Sequence, residues 1–215
     1  MTHGNPDVFD LALAQNKSWA YRTAAEDPNL FPSLASGQKP EILWIGCADS
    51  RIPETTVLGL KPGDIFVHRN IANILHPGDV NAQSVIEYAV VYLQVKHVVI
   101  CGHTSCGGVN AALGNKKLGV IDTWLHPLRS LRMQHNKDLR DLSQPEAALK
   151  LVELNVRKGV QVLKENPAII DAVRERGLQL HGIVYQVANG ELKELDTSDS
   201  PEDEADRKAA FQLEP

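Results

Sequence analysis

Residues 42–51 read Ile42-Leu43-Trp44-Ile45-Gly46-Cys47-Ala48-Asp49-Ser50-Arg51, and residues 97–108 read His97-Val98-Val99-Ile100-Cys101-Gly102-His103-Thr104-Ser105-Cys106-Gly107-Gly108. Each stretch opens on a short apolar run and breaks at a glycine into a segment carrying Cys, His or Asp. Unbroken apolar runs such as Ile42 to Ile45 and His97 to Cys101 are the pattern of strands buried on both faces, because helices cover both sides of a parallel sheet.

Working outward, Pro62-Gly63-Asp64 is a turn and Ile65-Phe66-Val67 a further buried strand. Residues 80–93 place Val85, Ile86, Ala89, Val90 and Leu93 at helical spacing, and residues 107–113 read as a helix after the second quoted segment. Strand and helix in alternation predict an α/β fold, a central mainly parallel sheet of about four strands flanked by helices. Before it, residues 7–25 predict a helix through Val8, Leu11, Ala12 and Trp19, part of an amino-terminal helical arm over residues 1–35; Pro28, Pro32, Gly37 and Pro40 then interrupt the chain. Beyond the quoted segments, Ser143 and Glu146 have capping-box spacing and should start a helix running towards Asn166. Pro167 to Arg176 is a shorter helix stopped by Gly177. Leu180 to Val187 alternates and reaches Asn189-Gly190, read as a two-residue hairpin turn into Leu192 to Leu195, an antiparallel edge strand. Residues 198–215 form an acidic tail, expected to be solvated or loosely packed. With no repeat and no clear boundary, residues 1–215 read as a single domain.

Composition narrows the function. The 215 residues are 43% hydrophobic and 23% charged, an ordinary globular balance. A net charge of −5 offers nucleic acid no basic footprint, and no apolar run approaches the roughly 20 residues that cross a bilayer. Met1 to Asp10 carries two acids and no Lys or Arg, unlike a targeting leader. Three cysteines are too few and odd in number for a disulfide framework, so reduced thiols and a cytoplasmic location are expected.

In parallel α/β sheets the loops at the carboxyl ends of strands share one edge, so Cys47, His103 and Cys106 can converge. Two thiolates and an imidazole suit zinc, and three protein ligands leave a fourth position for water or substrate. Taken singly, the pieces have plainer readings. A Cys after a buried strand packs as a small hydrophobe, and the glycine-rich turn after His103 could cradle a phosphate at a helix start. Placed together at two strand ends, they favour a metal. Asp49 lies two residues from Cys47, near enough to ligate an ion or accept a hydrogen bond from its water. Arg51 supplies a planar fork that keeps such a carboxylate ionised and oriented. The plainer reading is an Asx turn with a surface ion pair. Cys101, inside the apolar run, reads as packing. His68, His97, His126, His135 and His181 show no ligand spacing and read as structural or surface residues, and His3 lies near the terminus. Cys101 and Cys106 do not form a Cys-x-x-Cys pair, which argues against a redox module.

Cys47-Ala48-Asp49-Ser50-Arg51 with His103-Thr104-Ser105-Cys106 resembles the paired signature of the β-class carbonic anhydrases. The resemblance runs from about Gln38 through Tyr185 and includes residues 62–73 (PGDIFVHRNIAN) and Glu87-Tyr88-Ala89-Val90. Each motif is modest, while their order and spacing together are specific, with bacterial and fungal members the most alike. The resemblance implies a zinc lyase that hydrates carbon dioxide reversibly to bicarbonate and a proton. It implies one zinc per subunit on Cys47, His103 and Cys106, with water or hydroxide in the fourth position. Asp49 and Arg51 become an orienting and gating dyad, in which Asp49 either pairs with Arg51 or swings onto zinc as a fourth ligand. Gln38, Phe66, Ile71, Tyr88 and Gly107 become substrate-binding positions, although the residues alone would read Phe66, Ile71 and Tyr88 as core packing. Some of these reach the metal from a neighbouring subunit, which implies a homodimer or a dimer-of-dimers tetramer. Trp44, Arg69 and Tyr185 match a non-catalytic bicarbonate pocket of an allosteric bacterial subtype. An alternative is a related zinc hydrolase acting on carbonyl sulfide or carbon disulfide, since such an enzyme would share the metal set.

Overall fold

The computed structural model describes residues 7–211, which leaves His3 outside the described residues. Among them, strands β1 (Ile42–Cys47), β2 (Ile65–Asn70), β3 (His97–His103), β4 (Gln179–Tyr185) and β5 (Leu192–Glu194) form one sheet in the order β2-β1-β3-β4-β5. The first four are parallel, and β5 runs antiparallel along the edge of β4. The helices are α1 (Val8–Glu26), α2 (Leu30–Ser36), α3 (Glu54–Val57), α4 (Val80–Glu87), α5 (Gly107–Leu113), α6 (Val120–Trp124), α7 (His126–Gln134), α8 (Asn136–Leu139), α9 (Gln144–Lys164), α10 (Pro167–Arg176) and α11 (Pro201–Phe211). A 3-10 turn occupies Ile71–Asn73 and a π-helical turn Tyr88–Tyr92. This is the predicted α/β architecture, with the predicted antiparallel edge.

Two compact units divide the chain, one ending at Gln38 and the other beginning at Lys39. In the first, Asp7 caps α1 by accepting from Phe9 N at 2.8 Å, and Trp19 meets Phe31 edge-on at 5.7 Å. No residue of α1 is buried, and Val8, Phe9, Leu11, Leu13 and Tyr21 are exposed. Pro32 falls in the first turn of α2, where its missing N–H costs nothing, so the prolines of this stretch do not prevent a helix.

The second unit is built on β1. Ile42 pairs with both Ile65 and His97, so the three strands run level and end along one line, with Cys47 opposite Asn70 and Gly46 opposite Cys101. Alternation along β1 sends Leu43 and Ile45 into the main core and Trp44 to the other face, where it packs with Ile52, Val99, Cys101 and Tyr185. Cys101 is thus a packing residue, as expected. Helix α9 covers the main face with Leu151, Val152, Val156, Gly159, Val160 and Leu163. Its predicted capping box is in place, with Ser143 N donating to Glu146 Oε2 at 3.0 Å. The approach is close at Gly102, where a Cβ would fall 2.7 Å from Val156 Cγ2 and 2.9 Å from Val152 Cγ1.

Several expectations need correction. The strand predicted to close at Cys101 continues to His103, because β4 pairs with it as far as His103–Tyr185. The helix predicted over residues 80–93 is α-helical only to Glu87 and then widens into the π turn. The β4–β5 connection is no two-residue hairpin. Gln186 N donates to Glu191 O at 2.8 Å and Gly190 N to Gln186 O at 2.8 Å, so residues 187–190 form the loop. A two-residue type I′ turn needs positive φ at both Asn and Gly, and of the two only Gly190 has it, at 79°. The acidic tail is helical over α11, and Asp199 ahead of it is bound by Lys164 and Arg207 at 2.7 and 2.5 Å. Of the dismissed histidines, His97 and His181 bond to one another at 3.1 Å.

Candidate metal centre

Two strand-end side chains and one at a helix start meet at the carboxyl edge of the sheet. Cys47 is the last residue of β1, His103 the last of β3, and Cys106 the residue from which α5 starts. Their ligand atoms all lie within 4.8 Å of one another, and all three residues are buried. His103 is 0% exposed. Its Nδ1 lies 3.0 Å from Thr104 O, and a carbonyl only accepts, so Nδ1 carries the proton and Nε2 the lone pair. That Nε2 is buried and has no hydrogen-bond partner. A buried imidazole nitrogen costs free energy when left unmatched, and here it faces two sulfurs. The donor set therefore fits a zinc ion: two thiols and an oriented imidazole, with the histidine tautomer set by a main-chain carbonyl.

The electrostatics agree. Cys47 is pulled below the ordinary thiol range, first by hydrogen bonding from Cys106 and further by main-chain groups of Asp49 and Ala72, against the opposing effect of burial. Cys106 is pushed up, by the Cys47 thiolate and by burial. Binding a dication requires both sulfurs as thiolates and so releases protons from the pair.

Arg51 joins the two ligand segments. Its Nε donates to Asp49 Oδ1 at 2.9 Å, one Nη to Asp49 Oδ2 at 2.7 Å, and the same Nη to Ser105 O at 3.1 Å. This fork, with the Arg51 main-chain N–H at 3.0 Å, holds the Asp49 carboxyl well below the usual carboxylate range. Asp49 Oδ2 stands 3.9 Å from His103 Nε2, beside the cluster and turned towards Arg51. Ser105 has a φ of 57°, a left-handed residue just ahead of Cys106.

The remaining sequence-derived positions fall into four groups. Phe66 and Tyr88 stack at 5.7 Å, and Ile71 and Tyr88 are 41% and 46% exposed rather than core. Gly107 opens α5, with free space where a Cβ would stand. Trp44 and Tyr185 share one buried cluster, while Arg69 spends Nε on Cys47 O at 2.8 Å and an Nη on Asp49 O at 2.6 Å, with Glu54 at 3.5 Å. Arg69 thus pins the backbone of the first ligand loop. Gln38 is an exposed residue at the end of the first unit. Sequence reasoning passed over Ala72, whose N–H donates to Cys47 Sγ at 3.3 Å, and Asn155, whose Nδ2 donates to Ala72 O at 2.8 Å. A lone Asn within the apolar stripe of α9 was the available signal.

Comparison with known proteins points the same way. The carbonic anhydrase family model matches residues 42–192. A carbonic anhydrase of Emericella nidulans is 40% identical over 190 residues, which cover 87% of this chain and 83% of that protein. The β-carbonic anhydrase CafA of Aspergillus fumigatus superposes with a TM-score of 0.95 at 55% identity, over 97% of this chain and 100% of that one. One of two tetrameric β-carbonic anhydrases from Sordaria macrospora gives a TM-score of 0.88 at 49% identity, over 91% of this chain and 100% of its own. These relatives do not favour the carbonyl sulfide or carbon disulfide reading.

Proposed function

Since this chain belongs to the β-class carbonic anhydrase family, we propose that its reversible hydration of carbon dioxide to bicarbonate and a proton takes place at one zinc ion held by Cys47, His103 and Cys106. The observation that carries this assignment is the partnerless, buried Nε2 of His103 facing two thiol sulfurs. A zinc ion there supplies a Lewis acid that brings the ionisation of a water within reach of neutral pH. Asp49, kept ionised by Arg51, would serve as the acceptor that orients a water held at that site towards carbon dioxide. Released from Arg51, the same carboxylate, 3.9 Å from His103 Nε2, would be the residue to supply a fourth ligand and shut the site. Phe66, Ile71, Tyr88 and Gly107 form the apolar wall that receives the substrate, a role supported by the exposure of Ile71 and Tyr88. The assignment of Gln38 to substrate binding rests on its sequence match alone.

The working form is a homodimer or a dimer of dimers. The unburied apolar residues of α1 and the exposed Ile71, Tyr88 and Tyr92 support this, since patches of that kind mark contact surfaces. Light scattering on the purified protein tests it, and a monomer at micromolar concentration would refute it. A reducing, cytoplasmic location accords with three buried free thiols. Among the described residues no helix is long and apolar enough to cross a membrane.

The deciding experiment is stopped-flow carbon dioxide hydration together with metal analysis. Wild type should carry one zinc per chain and lose activity on chelation, and Cys106→Ser should lose both metal and activity. Full activity in the metal-free protein would sink the proposal.

A further inference from the structure

The turn that follows β2 is strained. Ala72 and Asn73 have φ values of 61° and 45°, successive non-glycine residues in the left-handed region, where a Cβ is crowded by its own backbone. Such a conformation persists only where surrounding contacts hold it. Ala72 has three. Its N–H donates to Cys47 Sγ at 3.3 Å. Its carbonyl accepts from Asn155 Nδ2 at 2.8 Å. Its methyl lies against Gly108, where a Cβ would stand 2.9 Å from Ala72 Cβ. One residue therefore touches both ligand segments: the sulfur of Cys47, and the glycine two places after Cys106.

We propose that Asn155 is a positioning residue for the metal centre, acting through Ala72: its amide holds the left-handed turn so that the Ala72 N–H stays aimed at Cys47 Sγ. The inference rests on the zinc assignment above and deepens it. Asn155 is 5% exposed and sits among Leu151, Val152 and Val156 on the buried face of α9. A primary amide in such surroundings is costly unless hydrogen-bonded, and its Nδ2 donates to Ala72 O. Asn70 Nδ2, donating to Ile74 O at 2.9 Å, and Trp124 Nε1, donating to Ile71 O at 2.8 Å, brace the flanks of the turn, and the Asn155 amide bonds Ala72 itself. An N–H bonded to a ligand sulfur fixes the direction of that sulfur and draws off some of its charge, so its loss alters both metal affinity and the thiolate's electronic signature.

The test uses the full chain, loaded with zinc or with cobalt(II). Asn155→Asp keeps the shape but sets an acceptor against the Ala72 carbonyl, and Asn155→Ala removes the contact. Zinc affinity, measured by competition with a chromophoric chelator, should weaken about 10–100-fold in both. The thiolate-to-cobalt charge-transfer band should shift. Val160→Ala, on the same helix face, should lower the melting temperature yet leave zinc affinity and the cobalt band at their wild-type values. Ala72→Gly, which removes the crowded Cβ, should recover part of the affinity lost in Asn155→Ala. Wild-type affinity and band in both Asn155 variants would overturn the inference, whatever their melting temperatures. A measurement without variants guards against misfolding: the Asn155 side-chain amide resonance of the wild type should move on zinc loading, and a resonance indifferent to the metal would also overturn it. A wild type that binds no zinc would instead overturn the zinc assignment.

Discussion

The middle of α9 and its carboxyl end each hold a distant segment through one polar side chain, and they do so by opposite means. Towards the metal centre, Asn155 is neutral and gives one hydrogen bond to a strained turn. At the far end, Lys164 is charged; it donates to Thr197 O at 2.5 Å and pairs with Asp199 at 2.7 Å, and Arg207 shares that carboxylate. An amide can be buried with a single bond, whereas an ammonium needs a counter-ion at hand. The Asn155 contact therefore adds no charge beside the thiols, and the turn it holds carries left-handed residues and partnerless polar atoms. The Lys164 end is an ordinary ion-paired strap that starts a helix. Strain and unmatched groups gather where chemistry is done, and the chain end is held by unstrained contacts.

Three substitutions would break or sharpen this contrast. The largest effect is expected at the metal end from Arg51→Ala, which frees Asp49 and the Ser105 carbonyl together. It should lower kcat/KM for hydration about 10–100-fold with little change in melting temperature, because Arg51 is exposed. An unchanged kcat/KM in stopped-flow assays would show that Asp49 needs no orienting partner. Next, Gly102→Ala drives a methyl towards Val156 and Val152 at the close approach of α9. Chemical denaturation should show a loss of about 1–3 kcal/mol from overpacking, and a neutral result would mean that helix and sheet separate freely there.

The smallest effect belongs to the far end. Asp199→Asn should cost about 1 kcal/mol at neutral pH, in the range of a part-exposed ion pair, and leave zinc content and activity unchanged. Its pH dependence has a definite sign. Burial alone would raise the Asp199 pKa, but hydrogen bonds from Arg207 and Lys164 bring it below the ordinary 3.8. A carboxylate depressed on folding adds stability above its unfolded pKa and loses it as pH falls through the folded value. The advantage of wild type over Asp199→Asn should thus be level near neutrality and fade below about pH 4. An advantage that persisted at lower pH would point to packing rather than charge.

Much of the frame was legible before any coordinates. Continuous apolar runs located β1 to β3, the Ser143–Glu146 spacing located the start of α9, and Gly177, at φ 70°, marked the end of α10. Errors came where local chemistry admits more than one outcome. Asn189-Gly190 suits a tight turn, yet the pairing of β4 with β5 sets a longer loop. The acids after Ser198 read as solvated until Lys164 and Arg207 are seen beside Asp199. The bonds of Arg69 to the Cys47 and Asp49 carbonyls were likewise not legible from its neighbours in sequence.

By itself, the sequence determined that Cys47, His103 and Cys106 follow buried strands, and the chemical character of that donor set. Both follow from near-neighbour physics: apolar period, glycine breaks, and the affinity of thiolate and imidazole for a borderline-soft ion. Only the tertiary structure decided that the His103 Nε2 lone pair is left without a partner, that Arg51 binds Asp49 and Ser105 at once, and that Asn155 reaches Ala72 across 83 positions. Those contacts depend on how α9 seats against the whole sheet, which no local stretch of chain specifies.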